Sequence, residues 1–200
     1  MKTSIPAPEL MSSGHLACQG CGATMSMRYA LKGLGPQTVM VVPACCWTVI
    51  SGATPRSSIN LPLLHSPFAA AAATATGVKA GLVSRGDRTT TVVAWAGDGG
   101  TFDIGLQALS GAADRNEDIL YVCYDNEAYM NTGVQRSSAT PDHAWTTTTP
   151  TRAPKSGAKK DLGAIMAAHR IPYFATASLS HMDDMVRKLE RARGCGAESV

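Results

Sequence analysis

Short apolar runs alternate along this chain with longer stretches in which apolar residues recur every three or four positions. Residues 38–42, 90–96 and 119–124 are runs of the first kind and predict buried strands, and 172–177 predicts a further one. Residues 23–34 predict a helix, with Met27, Ala30, Leu31 and Leu34 on one face and Gly33, Gly35 and Pro36 at its close. Residues 68–83 predict an alanine-rich helix able to pack closely on a neighbour, 103–115 an amphipathic helix and 161–169 another. The last helix opens at Ser180, carries Asp183 and Asp184 in its first turn, runs to Arg193 and breaks at Gly194; Glu198-Ser199-Val200 looks like the start of one more strand. Strands alternating with helices predict an α/β fold, an open and mainly parallel sheet with helices on both faces.

Two hundred residues, 44% of them hydrophobic, suffice for one packed α/β core. With 16% charged residues and a net charge of +3, neither a disordered chain nor a nucleic-acid footprint is indicated. The N-terminus lacks a basic region followed by a long apolar segment, and no stretch approaches the roughly 18 charge-free apolar residues of a membrane helix. Six cysteines without a secretory signal suggest ligands and reduced thiols in preference to a disulfide framework, which makes a cytoplasmic protein the expectation.

Two strand ends carry candidate chemistry. Gly97-Asp98-Gly99 follows one apolar run and Asp125-Asn126 follows the next. Asp98 and Asn126 therefore end neighbouring parallel strands on one edge, where open α/β sheets bind ligands. A carboxylate and an amide oxygen there suit Mg²⁺, a hard cation that takes one or two protein oxygens plus diphosphate oxygens and water. Gly99 and Gly100 let backbone N–H groups approach a diphosphate closely.

A second constellation is Cys18-Gln19-Gly20-Cys21-Gly22, with Cys46 farther on. A C-x-x-C pair is a redox dithiol, half of a metal site or a pair of small buried residues. No apolar strand precedes Cys18, which argues against a thioredoxin-like arrangement, and the N-terminal end of the 23–34 helix favours thiolates. Cys45 adjoins Cys46, and the sequence alone leaves a swap between them open. Cys123 lies inside an apolar run and reads most simply as a core residue.

Gly97-Asp98-Gly99 with Asn126 beyond it resembles the diphosphate and Mg²⁺ motif of thiamine diphosphate enzymes. The wider blocks over residues 97–113 and 124–141 resemble the β subunit of pyruvate:ferredoxin oxidoreductase, also called pyruvate synthase. The resemblance implies the thiamine diphosphate-binding fold. In it Asp98, Asn126 and the carbonyl of Ala128 would hold Mg²⁺, Gly97, Gly99 and Gly100 the diphosphate, and Asn131 would lie near the thiazolium and the 2-oxoacid. Cys18, Cys21 and Cys46 match three ligands of a 4Fe-4S cluster.

The implied reaction is oxidative decarboxylation of pyruvate to acetyl-coenzyme A and CO₂ with electrons passed to ferredoxin, or the reverse. The implied partners are α-, γ- and δ-type subunits, ferredoxin, pyruvate and coenzyme A, with no nucleic acid and no membrane. The carboxylate that activates the aminopyrimidine is expected on another subunit. Branched-chain 2-oxoacid, oxalate and 2-oxoglutarate relatives share the scaffold. A non-redox thiamine diphosphate decarboxylase or synthase, which has no use for the three cysteines, and a zinc module on an inert α/β unit are the other readings.

The family's fourth cysteine is expected beyond the last helix. Cys195 lacks its surroundings and reads as a loop residue, so the 200 residues are expected to be a C-terminally truncated copy. They are expected to form one thiamine diphosphate-binding domain, with an N-terminal arm over residues 1–13 lying on a partner and a cysteine-bearing segment at 14–46. Ala69-Ala70 stands where the family often has Glu-Asn. His65 resembles a position near the family's active site but is kept as a structural residue, and His15 either donates to a cluster sulfur or caps its loop. The long loop of residues 131–156 is expected to pack at the site or on a partner, and Lys155, Lys159 and Lys160 to form a solvated linker.

Overall fold

The computed structural model describes residues 5–195. Four parallel strands, β1 (Thr38–Pro43), β2 (Leu63–Ser66), β3 (Thr91–Gly97) and β4 (Leu120–Tyr124), form a sheet in the order β2-β1-β3-β4. The helices are α1 (Gly22–Leu34), α2 (Cys46–Ile50), α3 (Ala71–Ser84), α4 (Leu106–Asp114), α5 (Leu162–Ala168) and α6 (Met182–Arg193). The chain leaves β1 toward one edge and β3 toward the other. The resulting switch point opens a crevice beyond the carboxyl ends of β1 and β3.

Alternation along the strands sorts side chains between two apolar layers. Met40, Val42, Val93, Trp95 and Tyr124 point to the face covered by Met27, Ala30, Leu31 and Leu34 of α1, with Leu189 of α6 packed against them. Val41, Val92, Ala94 and Ala96 point to the opposite face, covered by Ala71 and Ala75 of α3. Beyond α3, Ala72 packs with Ala108, Leu109 and Ala112 of α4 and Met166 of α5. The expected open parallel sheet with helices on both faces is therefore present. Gly33 does more than end α1: a Cβ there would stand 3.0 Å from the Val186 carbonyl oxygen and 3.2 Å from Leu189 Cβ, so its absence admits α6.

Several expected elements differ. The 103–115 helix is entered through one π-helical turn, Gly99–Asp103, and α4 begins only at Leu106. Gly105 sits at the break, where a Cβ would stand 2.0 Å from the Gly100 carbonyl oxygen. The 68–83 helix starts at Ala71, because Ala70 N–H closes a turn on the Pro67 carbonyl (3.0 Å). Helix α2 was not foreseen; Cys45 and Thr48 cap it reciprocally.

Residues 172–177 have no strand partner among the described residues and run beside α6. Lys188 Nζ donates to the Thr176 carbonyl (2.7 Å) and the Arg191 guanidinium lies over the Tyr173 ring. A strand needs a neighbouring ladder, and apolar composition does not supply one. The strand start expected at residues 198–200 lies outside the described residues.

The arm, as far as residues 5–13 describe it, lies on its own chain. Met11 is buried and bridges Ile59, and Lys32 Nζ donates to the carbonyls of Pro6, Ala7 and Pro8.

The long loop is ordered by a hairpin of β5 (Ala128–Tyr129) and β6 (Gln135–Arg136) and by a bridge between Thr146 and Thr149. The basic run beyond it is no solvated linker. Lys155 is 4% exposed and donates to the carbonyls of Thr140 (2.5 Å), Gly157 (2.8 Å) and Ala158 (3.1 Å). Lys159 pairs with Asp125 and Glu127, and Lys160 with Asp103 and the Phe102 carbonyl. Among the described residues no helix is long and apolar enough to cross a membrane.

At the centre of one layer Trp95 meets Trp47 edge to face (6.5 Å between centroids) and stacks on Tyr124 (6.2 Å). Trp95→Ala is expected to cost about 3–5 kcal/mol in denaturant unfolding. Among the described residues the buried Trp95 Nε1 has no hydrogen-bond partner, so Trp95→Phe forfeits no hydrogen bond and should cost clearly less. Equal losses for the two variants would show that a phenyl ring recovers none of the packing that the indole supplies.

Candidate cofactor site

β3 delivers Gly97 and Asp98 to the crevice, and Asp98 is only 1% exposed. Its Oδ2 accepts a hydrogen bond from Ser137 Oγ (2.5 Å). Its Oδ1 faces the tip of the Asn126 side chain at 2.8 Å, and that tip lies 2.9 Å from the Ala128 carbonyl oxygen. With the Asn126 oxygen at the tip, three oxygens face one another with no hydrogen among them. Either a cation relieves that repulsion or the amide turns to present its NH₂ group. Burial pushes the Asp98 carboxyl up to about 6, opposed by the Ser137 hydrogen bond and aided by the nearby Asp125 charge. A buried carboxylate beside two neutral oxygens is a donor set that fits a hard cation.

Neighbouring residues shape this cup. Glu127 adopts a left-handed backbone (φ 66°), which turns the chain back after Asn126 so that the Ala128 carbonyl reaches the cup. Asp125 stays out of it, held by Lys159 and by the Glu127 N–H (3.0 Å). The glycines admit aromatic rings as well as exposing backbone. A Cβ on Gly99 would stand 2.4 Å from Tyr129 Cε1, and one on Gly100 3.1 Å from Phe68 Cε2. Phe68 and Tyr129 meet edge to face, and Tyr129 OH donates to Asp103 Oδ2 (2.8 Å).

The cysteines gather at two helix starts. Cys21 caps α1, Cys45 caps α2 and Cys46 opens α2; the Leu16 N–H to Ile50 carbonyl bond (3.0 Å) ties the cysteine-bearing segment to α2. Burial pushes the Cys46 thiol up, and the adjacent Cys45 and facing Cys21 add to this, while the Tyr124 hydroxyl and the Asn131 backbone N–H oppose it. Cys45 and Cys46 are adjacent in the chain at the start of α2, whereas Cys18 is exposed on the turn closed by the Cys21 N–H to Cys18 carbonyl bond (3.2 Å). Among the described residues no group of three or more His, Cys, Asp or Glu side chains is placed to hold a metal ion.

Arg193 Nη1 donates to the Leu34 carbonyl, so Cys195 lies near the far end of α1, about 20 Å from Cys21 along a 13-residue helix. Burial pushes the Cys123 thiol up to about 12, although the residue is only half-buried on β4 and belongs to none of the core clusters. His65 is exposed at the end of β2, lining a surface cavity of about 430 Å³ with Thr48, and His15 Nδ1 is buried without a partner. Sequence reasoning missed Ser137, Lys155 and Tyr124. No spacing rule links a loop serine to an aspartate on a distant strand, and Tyr124 was visible only as one more apolar position.

Residues 43–200 match the family described as thiamine pyrophosphate enzyme, C-terminal TPP binding domain. The ketoisovalerate oxidoreductase subunit VorB of Pyrococcus horikoshii is 50% identical over 96% of this chain and 64% of its own length. The pyruvate synthase subunit PorB of Methanothermobacter marburgensis is 50% identical over 94% of this chain and 67% of its own. Among solved structures, the 2-oxoglutarate:ferredoxin oxidoreductase of Magnetococcus marinus superposes with a TM-score of 0.79 at 24% identity, over 97% of this chain and 65% of that one, and so shares the fold. The chain thus spans about 64% of the length of the ketoisovalerate oxidoreductase subunits it matches. It belongs to the thiamine pyrophosphate enzyme family, alongside the pyruvate synthase PorB and ketoisovalerate oxidoreductase VorB subunits.

Proposed function

We propose that the chain is the thiamine diphosphate- and Mg²⁺-binding part of a pyruvate:ferredoxin oxidoreductase β subunit. It works in the cytoplasm with α-, γ- and δ-type subunits, coenzyme A and ferredoxin. The observation that carries this reading is the cup of Asp98, Asn126 and Ala128 oxygens at the carboxyl ends of β3 and β4, on a chain of this family. In it Asp98 supplies the negative charge for Mg²⁺, Asn126 and Ala128 supply neutral oxygens, and Gly97, Gly99 and Gly100 bring backbone up to the diphosphate. Thiamine diphosphate supplies the carbanion chemistry at the 2-oxoacid carbonyl. Asn131 stands on the exposed turn between β5 and β6, where its side chain can orient the substrate.

The thiols fit a 4Fe-4S cluster in part. Cys21 and Cys46 stand at two helix starts, and Cys18 lies on the adjoining exposed turn as the third ligand to be recruited. Such a cluster relays single electrons. A branched-chain 2-oxoacid is the second reading, favoured by the ketoisovalerate oxidoreductase subunits at 49–50% identity, level with the pyruvate synthase subunits.

Asp98→Ala in the complete complex is expected to abolish Mg²⁺-dependent thiamine diphosphate binding, and Asn126→Ala to weaken it less; unchanged affinity in Asp98→Ala would remove the assignment. Because the metal-free Asp98 carboxyl sits at about 6, Mg²⁺ competes there with a proton, and affinity should fall as the pH drops below that value. Serine at Cys18, Cys21 or Cys46 should each lower iron content and visible absorbance, whereas Cys123→Ser should not; equal iron in all four variants refutes the ligand choice. Ferredoxin reduction by the complete complex should favour pyruvate over 2-oxoisovalerate by about tenfold or more in kcat/KM. The opposite order selects the second reading, and no turnover of any 2-oxoacid defeats both.

A further inference from the structure

We propose that Ser137 is a positioning residue that holds Asp98 to one-oxygen coordination of the metal and so sets the site's preference for Mg²⁺ over Ca²⁺. The inference rests on the metal site proposed above and adds a residue and a selectivity to it. Ser137 is buried (1% exposed), and its Oγ accepts from the Ala139 N–H (3.1 Å), which commits its single proton to Asp98 Oδ2 at 2.5 Å. With Oδ2 occupied, Oδ1 is the oxygen that faces the Asn126 tip (2.8 Å), which itself lies 2.9 Å from the Ala128 carbonyl oxygen.

The serine is itself held from both sides. Its N–H donates to Thr140 Oγ1 (3.0 Å), and the Thr140 hydroxyl donates to the Glu127 carbonyl (2.5 Å), next to the residues that form the cup. Lys155 grips the Thr140 carbonyl from the other side, and the Ser138 N–H is anchored on Asp103 (3.2 Å). Ser137 therefore cannot drift to release Oδ2 without breaking this chain of bonds. Mg²⁺ demands a near-octahedral shell built on few carboxylate contacts, whereas Ca²⁺ takes six to eight oxygens and accepts a carboxylate through both of its oxygens. Tying down Oδ2 leaves the first geometry available and withholds the second.

The test is calorimetric titration of thiamine diphosphate into the complete complex, in Mg²⁺ and separately in Ca²⁺, for the wild type, Ser137→Ala, Ser137→Cys and Asp98→Ala. In Ser137→Ala, Mg²⁺-supported affinity should fall about tenfold, the scale of a lost hydrogen bond to a charged group, and Ca²⁺-supported affinity by less, so that the Mg²⁺ to Ca²⁺ preference narrows. Ser137→Cys, close in volume and a weaker donor, should fall between, and it carries the comparison if Ser137→Ala does not assemble. An equal loss with both ions, or no loss with either, overturns the proposal and leaves the metal site standing. Wild-type affinity in Asp98→Ala, or cofactor binding by the wild type without a divalent ion, overturns the metal site and this proposal together.

Discussion

A carboxylate taken out of water must find a compensating charge or surrender its own, and the region around Asp98 is arranged by that requirement. Asp98 follows β3 at the switch point of the sheet and is almost fully covered, yet among the described residues no basic side chain pairs with it. Lys159 is spent on Asp125 and Glu127, Lys155 on backbone carbonyls and Lys160 on Asp103. The protein supplies one hydroxyl and sets the Asn126 amide and the Ala128 carbonyl oxygen nearby, so that either a cation joins these oxygens or the amide turns to donate its NH₂ group. The left-handed Glu127, the hairpin after it and the buried Lys155 all serve to keep those oxygens converged.

The same sheet carries the cup and the cysteines, and aromatic rings connect them. Tyr124 closes β4 opposite Gly97, stacks on Trp95 in the core and accepts the Cys46 N–H at its hydroxyl (3.1 Å). The start of α2 is thereby tied to the strand that precedes Asp125 and Asn126. The cup and the cysteine-bearing helix starts, far apart in the chain, are thereby joined by one layer of packing.

The close packing of small residues explains why so much of this geometry hangs on glycine and alanine. Gly99 and Gly100 make room for Tyr129 and Phe68, and Gly105 makes room for the turn's own backbone. Ala71, Ala72 and Ala75 let α3 lie between the sheet and α4. Tyr129 in turn fixes Asp103, which anchors the Ser137 loop through the Ser138 N–H. A methyl group added at Gly99 would thus disturb the cup through two intermediates.

Periodicity along the chain was enough to determine the strands that became β1, β3 and β4, the buried face of α1 and the α/β class, because each depends on local alternation of apolar and polar positions. The chemical types of Asp98, Asn126 and the cysteines were legible for a similar reason: each stands at the end of an apolar run or at a helix start, where topology leaves side chains free. What only the tertiary structure decided involves contacts between residues distant in the chain. The strand expected over residues 172–177 found no ladder, and the arm found its own chain. Lys155 became a buried carbonyl clamp in place of a solvated lysine, and Cys18 stayed exposed while Cys21 and Cys46 took up the starts of two helices. Ser137 could not be singled out from sequence, since its role exists only where a loop folds back on β3. Hydrogen bonds depend on position in space, and local sequence pattern carries no record of which distant groups will meet.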